Sequence, residues 1–409
     1  MKKTALFTKT AIVAALALST TQVIAAGFQL NAQSATGLGR AFAGDAVIAD
    51  NASVMARNAA AMALFDKTEL SLGLNVLKTE IEVNDATYVG PTAPSGTSSN
   101  YDDAGDTSLV PNIHLIVPIN EQFAVGINLY SNFGTKTEFD DSFSGSEYGG
   151  LTDVKSVNLG LAASYRINQQ WSVGGGLDII YGTGKLERSL DVGAPEKMEV
   201  LNADASGVGL GFNLGTVFEL NENNRFGLSY HYSPELEAEG DIYYNGTTAK
   251  DDTLYMPLPD MAEFSGYHRL TDSKFAVHYS VQWIGWGAFD TLDSKAHGTL
   301  NEYQWKDAMH FSLGGTYYLN NSWTLRSGYM YDQSAQDEVT STSVPDSDRQ
   351  WFSAGFTYHF SDDSNLDLGA TYLVGQDVFV TESTEGVSQI TGTTRANAIL
   401  VAVQYSHSF

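Results

Sequence analysis

Residues 156–182 read SVNLGLAASYRINQQWSVGGGLDIIYG, and their pattern decides the fold. Val157, Leu159, Leu161, Ala163 and Tyr165 alternate with Ser156, Asn158, Gly160, Ala162 and Ser164. A short polar turn follows at 168–170. The alternation then resumes, with Trp171, Val173, Leu177, Ile179 and Tyr181 set against Ser172, Gly174, Gly176, Asp178 and Gly182. A period of two marks strands with unlike faces. One face is large and apolar, and the other is small or polar. In a soluble sandwich the apolar face would turn inward, whereas in a membrane barrel it turns outward to lipid.

The same pattern recurs on both sides of this stretch. Phe123, Val125, Ile127 and Leu129 form one such face, and Phe311, Leu313, Tyr317 and Leu319 another. Short polar turns fall at 120–122, 168–170, 221–224, 271–273, 320–322 and 361–365. Longer links lie near 84–105, 141–151, 189–203, 243–256, 292–303, 333–347 and 382–392. Six short turns alternating with seven long ones predict fourteen strands. Tight turns at one end and long loops at the other are the outer-membrane pattern. The fold class is therefore all-β, a 14-stranded antiparallel transmembrane β-barrel over residues 67–409. Closure removes the edges that an open sheet would present. The last strand alternates through Ile399, Val401, Val403, Tyr405 and His407 to the terminal Phe409, which has the form of the signal read by the barrel-assembly machinery.

Composition agrees. Hydrophobic residues make up 43% of the chain, yet no segment after the leader holds 18 apolar residues in a row, which excludes a bundle of membrane helices. Tyr and Phe number 21 and 20, a load that suits the aromatic girdles of a barrel. There is no cysteine, so neither disulfides nor thiol chemistry arise. Residues 1–25 read as an export signal. Lys2, Lys3 and Lys9 precede or flank the apolar run 11–18, and Val23, Ile24 and Ala25 prepare cleavage before Ala26. Loss of those three lysines takes the formal net charge from −26 to −29. So acidic a protein repels nucleic acid. No metal or cofactor is expected.

Residues 26–66, AGFQLNAQSATGLGRAFAGDAVIADNASVMARNAAAMALFD, break from the alternating wall. They hold 13 alanines and four glycines in 41 residues. They read as a compact insert that plugs the barrel, which argues against a general diffusion porin.

The start AGFQLN, the run SATGLGRAFAGDAVIAD, and the segments VPNIHLIVPIN (110–120), SNFGTKTEF (131–139), QWKDAMHFSLGGTYYLNNSWTLRSGYMYD (304–332) and VPDSDRQWFSAGFTYHF (344–360) resemble the outer-membrane long-chain fatty acid transporter (FadL) family over nearly all of the mature chain. The resemblance implies a 14-stranded barrel with an N-terminal hatch, in a Gram-negative outer membrane. It implies capture of a long-chain fatty acid near the outer loops, passage to an internal pocket, movement of the N-terminus, and sideways release into membrane lipid where the third strand kinks. The kink maps onto Ser131, Asn132, Phe133 and Gly134. Glycine tolerates such a bend.

Two pocket cations of the family map onto Arg188 and Lys306. Strand parity turns both inward, where a cation would hold a carboxylate by a charge-assisted hydrogen bond. Phe28 and Leu30 are the expected contacts to the acyl chain or the seal of the side opening, with 26–30 as the gate. Inward charges Asp178, Glu219, Arg326 and Arg349 are expected to tie the wall to Arg40, Asp45, Asp50 and Arg57 of the hatch. A monomer is expected.

The sequence departs from the family at Asn58, Ala59 and Ala60, where an Asn-Pro-Ala is usual. It departs again at the short acidic link 189–203, which leaves an apolar outer groove in doubt. Uptake of neutral aromatic hydrocarbons is the alternative within the same fold. Enzymatic roles for His231, His278 and His310 lack any nucleophile or metal motif.

Overall fold

The computed structural model describes residues 27–409. The export signal, its cleavage point and Ala26 lie outside the described residues. Within them, 21 strand segments join one antiparallel sheet that closes on itself. The first wall strands are β1 (Glu69–Gly90), β2 (Thr107–Pro118), β3 (Phe123–Tyr130 with Gly134–Glu138), β4 (Leu151–Arg166), β5 (Trp171–Leu190) and β6 (Met198–Asn221). Then come β7 (Asn224–Tyr232 with Glu235–Tyr244), β8 (Thr247–Pro257 with Met261–Arg269), β9 (Phe275–Ile284 with Thr291–Ser294) and β10 (Gly298–Glu302 with Ala308–Asn320). The wall ends with β11 (Trp323–Asp332), β12 (Arg349–Ser361), β13 (Ser364–Gly375 with Val378–Thr384) and β14 (Ser388–Ser408). Fourteen strands thus make the wall, six of them in two pieces, and the remaining segment Ala93–Ser98 folds back on β1. β1 pairs with β14 from Glu69↔Ser408 to Val89↔Gln389, which closes the barrel.

Side-chain parity follows the alternation. Leu161, Leu177, Leu210, Leu214 and Leu313 face outward and are exposed, Leu210 at 68%. Asn158, Ser172, Asp178, Asn213 and Ser229 face inward and are buried. The outward belt is apolar because its solvent is hydrocarbon.

Three of the expected long links are strand for most of their length. β7 and β8 run on to a two-residue turn at Asn245 and Gly246, both with positive φ (46° and 90°), the geometry of a type I′ hairpin. The links 292–303 and 382–392 behave alike. These outer extensions are polar outside and hold only scattered apolar residues inside, such as Leu254, Leu292 and Ile390, so their composition reads as loop. The link after β11 does not project. Ser341, Thr342, Ser343, Val344, Asp346 and Ser347 are buried, so it folds back into the barrel mouth.

The N-terminal segment lies inside the wall, buried almost without break from Gly27 to Met62. It contains only short turns of helix: Ala35–Leu38, Ala52–Ala56 and Ala59–Leu64. Each begins at a polar cap. Ser34 Oγ accepts from Gly37 N at 2.9 Å, and Asn51 Oδ1 from Ser53 N at 3.0 Å. Asn58 Oδ1 accepts from Ala60 N at 3.0 Å, while its amide donates to Ala46 O and, across to the wall, Thr216 O. This cap sets the backbone at Ala59, where the family's proline would fix φ. Alanine and wall glycine let the backbones touch: a Cβ on Gly174 would lie 2.4 Å from Ala60 N.

Candidate ligand chamber and side opening

A narrow apolar chamber, nearly filled by side chains and leaving only about 30 Å³ free, lies between the N-terminal segment and the outer half of the wall. β5 supplies Gly184 and Leu186, β7 and β8 supply Leu236, Leu254 and Met256, and the returning link supplies Val344. Its inner end is closed by aromatic rings packed around Phe28. The Phe28 ring lies 4.7 Å from Trp286, 5.1 Å from Phe289, 5.7 Å from Trp305 and 6.3 Å from Phe133. Gly27 makes the approach possible: its φ is +57°, and a Cβ there would sit 2.5 Å from Trp305 and 2.6 Å from Trp286. Tyr303 stacks on Phe289 at 4.6 Å.

Alternation alone misses this ring cluster. Trp286, Phe289, Tyr303 and Trp305 all fall at the breaks in β9 and β10, where parity is lost. The one available signal is the bunching of four large rings within 286–305.

Outward of the chamber lies a polar vestibule of about 350 Å³, lined by Glu147, Tyr148, Arg188, Glu302, Glu382 and neighbouring hydroxyls. The two spaces share Leu186, Leu292 and Tyr303. Arg188 stands two residues beyond Leu186 on β5, at the lip between them. It is buried, as parity predicts. Its Nη1 donates to Leu151 O at 2.6 Å and Glu187 O at 2.8 Å, and its Nη2 to Thr152 Oγ1 at 2.7 Å. All three partners are neutral.

Lys306 is a correction. It lies in the break of β10, half exposed, and pairs with Asp337 at 3.1 Å rather than lining the chamber. Gln304 takes a positive φ of 50°, which puts the strand out of phase. Trp305 turns inward in its place.

The kink residues sit where β3 breaks. The β2–β3 ladder runs only from Ile113↔Leu129 to Pro118↔Ala124. Beyond it, Ser131, Asn132 and Phe133 leave the wall strand, and Gly134 restarts it against β4. The freed backbone is taken up by the N-terminal segment. Leu30 N donates to Asn132 O, Gly134 N donates to Phe28 O at 2.7 Å, and Gln29 bridges Phe133. Phe28 thus faces the chamber, and Leu30 packs with Leu77, Val110 and Leu400 beside the opening. Leu30 does not line the chamber.

Charges anchor the segment deeper down. Arg40 pairs with Asp45 at 2.7 Å and Asp50 at 3.1 Å, and Arg326 of β11 reaches Asp50 at 3.1 Å. Arg57 lies 3.6 Å from Asp45 and 3.5 Å from Glu263 of β8, a wall partner that parity arguments overlooked. Burial raises the Asp45 carboxyl to about 6 against the pull of Arg40 and Arg57. Burial also pushes Asp50 upward, but Arg40 and Arg326 outweigh it and leave Asp50 below its usual value. Asp178, Glu219 and Arg349 do not anchor the segment by ion pairs, contrary to expectation. Asp178 accepts from Asn213, Glu219 pairs with Arg166, and Arg349 with Asp332 and Asp346. Their partners lie on the wall or its returning link, which alternation within one strand cannot identify.

The three histidines serve packing. His231 bonds Arg57 O at 3.0 Å, His278 bonds Thr316 Oγ1 at 3.0 Å, and His310 lies 2.9 Å from Asp332.

A family profile described as outer membrane protein transport protein (OMPP1/FadL/TodX) matches residues 16–409. The chain is 35% identical over 447 residues to the long-chain fatty acid transport protein of Escherichia coli strain K12, covering 96% of this chain and 99% of that one. It is 36% identical over 447 residues to the 47 kDa outer membrane protein of Pasteurella multocida strain Pm70, covering 100% of both. Among solved structures, a Pseudomonas aeruginosa FadL homologue superposes with a TM-score of 0.84 at 21% identity, over 94% of this chain and 100% of that one. The Pseudomonas putida toluene transporter TodX gives 0.68 at 18%, over 95% and 100%. These two structures speak to the fold alone. The matched profile and the full-length relatives agree with the closed barrel and its apolar belt: the chain belongs to the FadL/TodX family of outer-membrane transport proteins.

Proposed function

We propose that this protein carries long-chain fatty acids inward across the outer membrane as a monomer, with the N-terminal segment acting as a hatch. Arg188 carries the reading. It is a buried guanidinium at the lip of an apolar chamber, held by neutral acceptors, with no carboxylate in ion-pair reach among the described residues. A buried guanidinium with no carboxylate in contact is costly, Glu382 acting on it only at longer range across the vestibule, and an incoming carboxylate relieves that cost. Once Phe28 withdraws, the chamber beyond takes an acyl chain by the hydrophobic effect. A neutral aromatic hydrocarbon would use the chamber and leave Arg188 unanswered.

Phe28 closes the floor, and the break in β3 lies at its edge. Withdrawal of residues 27–30 would free both the floor and the side opening bounded by Ser131, Asn132, Phe133 and Gly134. The ligand then leaves sideways into membrane lipid and avoids a water-filled channel. The E. coli relative, named a long-chain fatty acid transport protein, supports the same substrate class.

The test is equilibrium binding of a fluorescent long-chain fatty acid to purified protein. Arg188→Gln should weaken binding roughly tenfold, the scale of one hydrogen bond to a charged group. Binding of a neutral aromatic probe should not change. Undiminished fatty acid binding by Arg188→Gln would remove the carboxylate role. A wild-type preference for the neutral probe would favour hydrocarbon uptake.

A further inference from the structure

The side opening has a charged rim that its backbone does not require. Above the last β2–β3 pair, Ile113↔Leu129, the two strands separate. They meet again near the outer end, where Glu138 N donates to Ala104 O at 3.0 Å. Between these points one ion pair spans the gap: Lys136 Nζ of β3 lies 2.9 Å from Asp106 Oδ2, at the foot of β2. Lys136 also lies 2.9 Å from Glu138 Oε2 on its own strand.

Parity places this cation on the outer face. Thr135 lines the chamber, and Thr137 is buried with its hydroxyl on Ser343 O, so Lys136 between them points away from the lumen. Its side chain is 17% exposed and that of Asp106 28%. At the opening, then, the wall is one strand thick, with the chamber on one side and Lys136 on the other.

Arg188 stands at the same height. Its Nη2 donates to Thr152 Oγ1, and Thr152 pairs with Thr137, the neighbour of Lys136. Two strand spacings, roughly 10 Å, separate the backbones that carry the two cations, one on each face of the wall.

From this geometry we propose that Lys136 is a second headgroup station: it gives up Asp106 to take the carboxylate of a fatty acid leaving through the side opening. This rests on the fatty acid reading above. As the acyl chain slides between β2 and β3 into hydrocarbon, the carboxylate has to leave Arg188 and cannot follow the chain into lipid uncompensated. Lys136 meets it at the rim. Asp106 is the resident carboxylate that the ligand displaces, so the station is never an unpaired charge. A neutral hydrocarbon has no use for it.

The test separates a station from a simple clasp. Uptake of radiolabelled oleate is measured in cells whose only outer-membrane route is this protein, alongside equilibrium binding to the purified protein. Lys136→Met should lower uptake roughly tenfold, the scale of one charge-assisted hydrogen bond, and leave binding unchanged. Lys136→Arg should retain uptake. Asp106→Asn removes the competitor and keeps the Oδ1 that accepts from Thr107 N, so uptake should rise. A clasp requires both partners, so it would make Lys136→Met and Asp106→Asn move uptake in the same direction. That result, or unchanged uptake by Lys136→Met, overturns the station while the transport function stands. Absence of oleate uptake by the unsubstituted protein overturns the function itself, and the station with it.

Discussion

Arg188 and Lys306 show how far a single residue can be read from its strand. Both carry inward parity on paper. Arg188 sits on an unbroken stretch of β5 and arrives where parity sends it. Lys306 follows Gln304, whose positive φ resets the phase, and it ends among solvent-exposed acids. Parity is thus a local rule with the range of one uninterrupted ladder.

The buried carboxylates of the N-terminal segment answer to a different term, solvation. Asp45, raised to about 6 from 3.8, binds a proton more tightly in the folded segment than in the unfolded chain. The Asp45 contribution to the segment's stability therefore falls as pH rises from about 4 to about 6, by at most roughly 3 kcal/mol. Hydrogen exchange of the amides of 34–62 checks this. Corrected for intrinsic rates, the excess protection of wild type over Asp45→Asn should be greater at pH 5 than at pH 7.

At the scale of elements, the strand count was fully legible and the breaks were not, save that of β3, which the family resemblance placed at 131–134. Alternation identifies a strand by its two faces, and a break of two to six residues leaves both neighbouring runs intact. The breaks nonetheless build the site. Those of β9 and β10 deliver Trp286, Phe289 and Trp305 to Phe28, and that of β3 opens the wall. Which rings would meet depends on contacts between distant strands, and a one-strand pattern carries no information on these.

The segment inside the wall was recognisable as an insert by its alanines, whereas its seat depends on wall glycines opposite. Gly174 faces the Ala60 backbone, with no side chain able to yield between them. Gly174→Val should therefore displace Ala59–Leu64 at an overpacking cost of roughly 1–3 kcal/mol while the wall still forms. Purified protein should keep its heat-modifiable gel mobility and show raised ion conductance in planar bilayers. Unchanged conductance would mean that this helical turn does not help seal the lumen.

For the whole molecule, closure is the governing fact. β1 and β14 complete each other's ladder, and Phe409 N donates to Thr68 O at 2.9 Å beside the seam. The Phe409 side chain itself is exposed at 69%, so it contributes little to the finished barrel. We propose that its use is earlier, as the terminal aromatic offered to the assembly machinery. Deletion of Phe409 should leave the refolded protein's thermal stability within about 0.5 kcal/mol of wild type and sharply lower the amount of assembled barrel in the outer membrane. A loss of stability equal to the loss of assembly would show that the ring supports the fold and not its insertion.

Phe28 adds one more consequence. Its ring already occupies the apolar floor, and its carbonyl already satisfies Gly134 N. It is a competitor for the site carried on the protein's own chain, present at constant local concentration. On the proposed reading a ligand binds against it, and the apparent dissociation constant is the intrinsic one divided by the fraction of molecules with Phe28 withdrawn. The affinity measured for this transporter is therefore a property of its N-terminus as much as of its pocket. Shortening that side chain would tighten binding by letting go of the opponent.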